Sequence, residues 1–200
     1  MLIAGLTGGL ACGKSFVAQA FADLGCHIVE ADQLGHEVLL PDGEAYGPAV
    51  ALFGKEILNQ DGTINRQRLG LIVFNSPGKL AELNAIVHPA VQKRARRMFD
   101  EIAQRDPDGI VIYVAAILVE TGGWRDYDKL IVADCSRETQ IRRAVERFGA
   151  TPQDVEARLS RQLPAERKRE VADFVIDTNG AKEDTLRQTK MVLEQLRSSR

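Results

Sequence analysis

An α/β fold on a doubly wound parallel sheet is predicted by three observations. An apolar segment, Leu2 to Leu6, runs into GGLACGKS (8–15) and then into a helical pattern. Two continuous apolar runs, IVIYVAA (110–116) and KLIVADC (129–135), have the composition of strands buried on both faces. A helical pattern joins the first strand segment to the second, a β-α-β unit whose crossover should be right-handed with parallel strands, and further helical segments accompany the later strands.

The first strand is expected at about 2–6 and the first helix at about 14–24, with Val17, Ala20, Phe21 and Leu24 on one face. Gly25 ends that helix as a C′ residue, and HIVEA (27–31) supplies the second strand. From 33 to 105 the chain reads as mostly helical, cut by turn signals at Asp42-Gly43, Asp61-Gly62 and Ser76-Pro77-Gly78. After the two central strands, helices are expected at about 137–148 and 152–163, a short strand at Phe174 to Ile176, and a last helix at about 181–197. Leu186, Thr189, Leu193 and Leu196 form the predicted buried face of that helix. No internal repeat or low-complexity tract occurs.

The segment 8–15 fits G-x-x-x-x-G-K-[ST], and the strand before it and the helix after it supply the context this phosphate-loop pattern needs. Nucleotide phosphates carry dense negative charge, which such a loop meets with converging backbone N–H groups. Gly8 and Gly13 stand where a side chain would obstruct that approach or the backbone angles. The helix beginning near Lys14 adds the positive end of its dipole. Lys14 is expected to reach the β- and γ-phosphates, and Ser15 to hold Mg²⁺ through its hydroxyl. The loop therefore predicts a nucleoside triphosphate with Mg²⁺, without choosing between transfer, hydrolysis and switching.

The bulk numbers narrow the class. Two hundred residues suit one α/β domain with a small inserted subdomain, and 44% hydrophobic content can fill its core. A net charge of −2 gives no sign of a bulk nucleic-acid or membrane binder. Arginines cluster around 94–97, 137–147 and 158–169, as local anion sites or solvated helix faces. No signal-peptide pattern or membrane-length apolar run is present. Cys12, Cys26 and Cys135 show no metal spacing, and a reduced cytoplasm is the expectation. The sequence does not give the oligomeric state; a monomer is compatible with it.

A guanine-reading NKxD is absent, and the weak DxxG at Asp32 to Gly35 stands alone. The strand at 110–116 ends without the acidic residue of a large ATPase. Small-molecule kinases remain. Asp32 is expected at the carboxyl end of the second strand, next to the loop-bearing strand, where open α/β sheets bind ligands. A carboxylate there can orient an acceptor hydroxyl, take its proton and ligate Mg²⁺. The bland alternative is an N-cap for a helix at 33–39.

Taken together, GLTGGLACGKS (5–15), EAD ending at Asp32, GTINR (62–66) with Leu69, Val87-His88-Pro89, VAAILVETG (114–122), ETQIRRAVERFG (138–149), EARLSRQL (156–163) and VIDTNG (175–180) resemble the dephospho-coenzyme A kinase family over nearly the whole chain. The resemblance implies transfer of the ATP γ-phosphoryl group to the ribose 3′-hydroxyl of dephospho-CoA. It implies a nucleotide-kinase-like core at about 1–32, 106–136 and 170–200, a helical CoA-side insertion at about 33–105, and a helical lid at about 137–169. By position, Asp32 is the base, and Arg66 and His88 belong to the acceptor side. Arg143 and Arg147 face the phosphates from the lid, while Asn179 and Gly180 lie near the adenine. The ATP seat takes in Gly8, Gly9, Ala11, Cys12, Gly13, Lys14, Ser15 and Phe16.

Residue chemistry supports part of this assignment. Arg143 and Arg147, one helical turn apart, share a face. His88-Pro89 reads as a helix start with proline in the first position. Glu120 is expected in a salt bridge or against a polar ligand group. Ala11-Cys12 replaces the small pair, often Gly-Ser, of the family, which requires ordinary backbone angles at Ala11. Cys12 sits near a lysine and a helix N-terminus, which favours its thiolate. Ala116 replaces a common proline, and Thr178 a common asparagine. The enzyme alternative is a kinase of nucleosides or nucleotides. The non-enzyme alternative is an ATP-binding switch module.

Overall fold

The computed structural model describes residues 1–160 and 162–199. Arg161, inside the EARLSRQL segment, and Arg200 lie outside the described residues. The strands are β1 (Leu2–Gly8), β2 (His27–Glu30), β3 (Ile110–Val114), β4 (Lys129–Asp134) and β5 (Phe174–Asp177). They form one sheet in the order β2-β3-β1-β4-β5, and the β1–β3, β1–β4 and β4–β5 pairs are parallel. β3 thus separates β2 from β1, so Asp32 does not follow the immediate neighbour of the loop-bearing strand. The reason is burial. All five residues of β3 are buried, which favours an interior place for it, while β2 contributes only Val29 to the fully buried set.

The helices are α1 (Lys14–Asp23), α2 (Ala31–Glu37), α3 (Tyr46–Phe53), α4 (Arg66–Phe74), α5 (Pro77–Arg105), α6 (Arg137–Phe148), α7 (Pro152–Leu159), α8 (Ala165–Glu170) and α9 (Lys182–Ser198). The chain divides into two compact units, Met1–Val29 with Ile102–Arg200, and Glu30–Glu101.

In the first unit the apolar stripes of α1 and α9 close over the sheet. Val17 and Phe21 of α1 and Val192, Leu193 and Leu196 of α9 pack with Leu6, Ile112, Ile131 and Ile176. Gly25 turns the chain out of α1 at φ +91°, its N–H bonded to the Ala22 carbonyl, as a left-handed C′ position requires. The buried face of α9 is rotated from the predicted one: Thr185 is buried and Leu186 is 44% exposed. The Thr185 hydroxyl donates to the Asp177 carbonyl, so a polar residue takes the inward position. A smaller cluster joins Ala144 of α6 to Val155 and Leu159 of α7, with Leu10 and Ala11 of the loop against it. The helix expected at 152–163 is shorter, ending at Leu159.

The second unit has its own core, formed by Ala49, Phe53, Ile57, Ile64, Leu69 and Val73. Here Pro89 departs from expectation. It lies inside the 29-residue α5 and does not begin a helix. An interior proline forfeits one backbone hydrogen bond and costs about 3 kcal/mol. Leu80 and Leu83 before it pack on this core, and Val91, Ala95 and Phe99 after it are buried, so side-chain burial on both sides offsets the local penalty.

Candidate active site

β1 delivers the chain to the loop at Gly8. A Cβ there would lie 2.3 Å from the Ala133 carbonyl oxygen of β4, so only glycine lets the loop leave the sheet this close to its neighbour. Gly13 is the N-cap of α1 and has left-handed angles, φ +74°. Ala11 also has a left-handed backbone, φ +57°, against the expectation of ordinary angles. Among the described residues it is the only non-glycine residue with positive φ. The strain is of the order of 1–2 kcal/mol.

Cys12 explains why the loop holds that shape. Its side chain is buried, with Sγ accepting hydrogen bonds from Cys135 Sγ at 3.1 Å and from Gln140 Nε2 at 2.9 Å. Its carbonyl lies 3.1 Å from the Thr178 hydroxyl. The bond from Cys135 is the main influence lowering the Cys12 thiol pKa from 9.0 to about 7; Gln140 assists, while burial and the Asp134 carboxylate oppose. The same bond, with burial, pushes the Cys135 thiol well above its ordinary range.

Ala11, Cys12, Gly13, Lys14, Ser15 and Phe16 line a cavity of about 590 Å³ together with Arg143, Arg147 and Gly180. Nine predicted site residues therefore meet at one place. Lys14 Nζ folds back onto the Gly8 and Gly9 carbonyls at 2.9 and 3.1 Å. Arg143 grips Thr178, and the Arg147 guanidinium lies 5.3 Å from the Phe148 ring centroid. Gly9 borders a second cavity of about 440 Å³. The Asn179 side chain is engaged within its own loop region, accepting from the Ser136 N–H at 2.7 Å and donating to Asp177.

Some cavity residues were not legible as such. Lys182, whose Nζ lies 5.7 Å from the Phe16 ring centroid, and Glu146 look like ordinary surface charges in the sequence. Thr178, read only as a departure, is a buried hub between the loop, β4 and Arg143. Gln162 was also missed; its side-chain carbonyl accepts the Leu10 N–H at 3.0 Å. Nothing in the periodicity separates it from a solvated glutamine.

The other predicted residues belong to the second unit. Asp32 is exposed in the first turn of α2, where helix dipole and carboxylate agree in sign. It is not the cap: Glu30 holds that position, with no side-chain cap bond. The helix begins two residues before the expected start because Leu34 and Val38 are buried and draw the preceding turn into register. Arg66 opens α4, whose Asn65 cap accepts from the Arg68 N–H, and Arg66 Nη2 meets His36 Nε2 at 2.6 Å. His88 is exposed midway along α5. The clustered arginines divide between roles: Arg94 pairs with Glu37 and Glu44, Arg137 with Glu156, and Arg169 with Asp134 and Glu166, whereas Arg143 and Arg147 line the cavity. Glu120 forms a 2.6 Å ion pair with Lys168, whose side chain is only 2% exposed.

Comparison with known proteins decides the family. The model of the dephospho-CoA kinase family matches residues 2–184. The chain belongs to the dephospho-CoA kinase family. A dephospho-CoA kinase of Geobacter metallireducens is 43% identical over 188 residues, covering 94% of this chain and 93% of that one. The crystal structure of TT1252 from Thermus thermophilus superimposes with a TM-score of 0.80 at 30% identity, covering 98% and 97% of the two chains. Dephospho-CoA kinase from Campylobacter jejuni shares the fold with a TM-score of 0.67 at 22% identity, over 97% and 96%. No helix among the described residues is long and apolar enough to cross a membrane.

Proposed function

We propose that this chain transfers the γ-phosphoryl group of ATP to the ribose 3′-hydroxyl of dephospho-CoA, giving coenzyme A and ADP in the last step of coenzyme A synthesis. The observation that carries the reading is family membership over residues 2–184, coupled to a phosphate loop whose residues share one cavity with two arginines.

In this reading the backbone amides of Gly13, Lys14 and Ser15 at the start of α1 hold phosphate oxygens, and Lys14 exchanges its loop carbonyls for the β- and γ-phosphates. Arg143 and Arg147 stabilise charge spread over the transferred group, a role worth about 10³–10⁵ in rate for an arginine. Asp32 orients the acceptor hydroxyl and takes its proton. Arg66 and His88 bind the acceptor, with Arg66 braced by His36. Phe16, Asn179 and Gly180 belong to the nucleoside end.

The donor set fits Mg²⁺. Ser15 offers a hard hydroxyl oxygen on the cavity wall, and no group of three or more His, Cys, Asp or Glu residues among the described residues competes as an all-protein cage. Mg²⁺ characteristically takes one or two protein oxygens and completes its shell with phosphate and water. Ser15 and Asp32 would hold it, and the ion would supply positive charge that offsets the negative charge of the phosphates. In this reading residues 33–105 act as the acceptor-side insertion and 137–169 as the lid. The three free thiols fit a reducing cytoplasm.

The test is ATP consumption by the purified protein with Mg²⁺, with and without dephospho-CoA, the product identified by mass. Coenzyme A formation dependent on dephospho-CoA is expected. Slow ATP loss indifferent to it would overturn the acceptor assignment.

A further inference from the structure

We propose that Cys12 and Cys135 form an oxidisable dithiol, a modification site for peroxide-class oxidants whose closure to a disulfide disables the phosphate loop. The two residues are 123 positions apart in sequence, yet their sulfurs are 3.1 Å apart and both side chains are buried. A lone phosphate-loop cysteine would have no resolving partner, whereas here Cys135 Sγ is in direct contact.

The pair is asymmetric. Cys135 is the hydrogen-bond donor and Cys12 the acceptor, and Gln140 Nε2 donates to Cys12 from the side. Two donors directed at one sulfur favour its thiolate, the reacting form. Cys12 also lines the cavity of about 590 Å³, and Cys135 that of about 440 Å³, so each buried cysteine stands at a cavity wall.

The chemistry balances with two electrons. The Cys12 thiolate attacks one peroxide oxygen, the O–O bond breaks, and hydroxide or alkoxide leaves and takes a proton. The resulting sulfenic acid is attacked by the Cys135 sulfur. Its S–O bond breaks, and hydroxide leaves as water with the Cys135 proton. The peroxide is reduced and two thiols become one disulfide.

Closure must shorten the sulfur separation by about 1 Å to reach disulfide length. Cys12 follows the strained Ala11 and precedes Gly13 and Lys14, so that displacement falls on the amides that must converge on phosphate. Misplacement on this scale is costly for a preorganised site. Bound ATP, by holding the same amides in place, should slow closure.

Trypsin separates the cysteines cleanly. Cys12 falls on peptide 1–14, Cys26 on 15–55 and Cys135 on 130–137. The experiment treats the full protein with hydrogen peroxide, blocks remaining thiols and maps peptides without reductant. The expected result is a 1–14/130–137 adduct that dithiothreitol dissolves, a loss of ATP affinity of about tenfold or more, and slower adduct formation with saturating ATP. Cys135→Ser should bind ATP like the reduced wild type and yield no adduct; Cys26→Ser should behave as wild type and stands in if Cys135→Ser fails to fold. Oxidation confined to Cys26 and methionines, or an adduct with unchanged ATP affinity, would overturn the proposal. The adduct is read without nucleotide, so its formation is decided independently of the ATP assignment.

Discussion

Arg143 holds Thr178 at two points, Nη2 donating to its carbonyl at 2.5 Å and Nη1 to its hydroxyl at 3.2 Å. The same hydroxyl lies 3.1 Å from the carbonyls of Cys12 and Asp134. One buried threonine thereby orients Arg143 of α6 and secures the phosphate loop. Arg143→Ala is expected to lower kcat/KM about 10³-fold. Thr178→Val keeps the shape but strands buried carbonyls, with a stability loss of about 1–2 kcal/mol. Because Thr178 works through Arg143, the double variant should lose less activity than the product of the two single effects. Independent, multiplying losses in steady-state kinetics would show that the grip does not position the arginine.

The left-handed Ala11 predicts an unusual direction of change. Ala11→Gly removes the Cβ strain and should raise stability by about 1 kcal/mol, less the added freedom of the unfolded chain. Ala11→Val should do the reverse, since a branched side chain tolerates φ +57° even less. Thermal unfolding of the three proteins should rank them Gly, Ala, Val. A valine variant as stable as wild type would mean the loop relaxes in solution.

The Glu120–Lys168 pair is buried deeply enough for its two halves to depend on one another. Lys168 is 2% and Glu120 17% exposed. Lys168→Met alone should cost about 3–5 kcal/mol by leaving a carboxylate without its partner, and Glu120→Leu with Lys168→Met should recover most of that. Chemical denaturation of the single and double variants measures it. A double variant no better than the single would show that the pair does more than neutralise itself.

These residues also mark where sequence reading stopped. β3 and β4 were legible because both faces are buried and their runs are continuously apolar. The loop was legible because phosphate chemistry restricts it to few residue types. α8 was not, since its sequence AERKRE has no apolar stripe. It is fixed by the ion pairs of Lys168 to Glu120 and Arg169 to Asp134, partners far away in sequence. The inward turn of Thr185 in place of Leu186 depends on a hydrogen bond that hydrophobic periodicity does not register. Pro89 misled because the local bias was real but smaller than the burial on either side of it.

Asp32 separates a kinase from a switch. In the proposed mechanism, Asp32→Asn removes the proton acceptor and keeps the size and most of the hydrogen-bonding capacity. ATP affinity should stay within a few-fold, while kcat falls about 10²–10⁴-fold. Titration of ATP binding beside single-turnover kinetics distinguishes the two effects. Normal turnover would remove Asp32 from the chemistry.

Cys12 gives the stability of the reduced protein a specific pH signature. Its thiol is more acidic folded, about 7, than the ordinary 9.0 expected when unfolded, chiefly because Cys135 donates to it. Between these values the unfolded chain binds more protons than the native one, so unfolding free energy rises with pH. The contribution is absent below about pH 7, where both states are protonated, and complete above about pH 9, where both are ionised. Its slope cannot exceed about 1.4 kcal/mol per pH unit, which bounds the gain across the window at about 3 kcal/mol. Cys135 has the opposite sign, since its folded thiol resists ionisation and works against stability above pH 9.0. Measurements between pH 6 and 9 with reductant therefore isolate Cys12. The wild type should gain stability over Cys12→Ser as pH rises through that range, and parallel pH profiles would show that the two donors do not favour its thiolate.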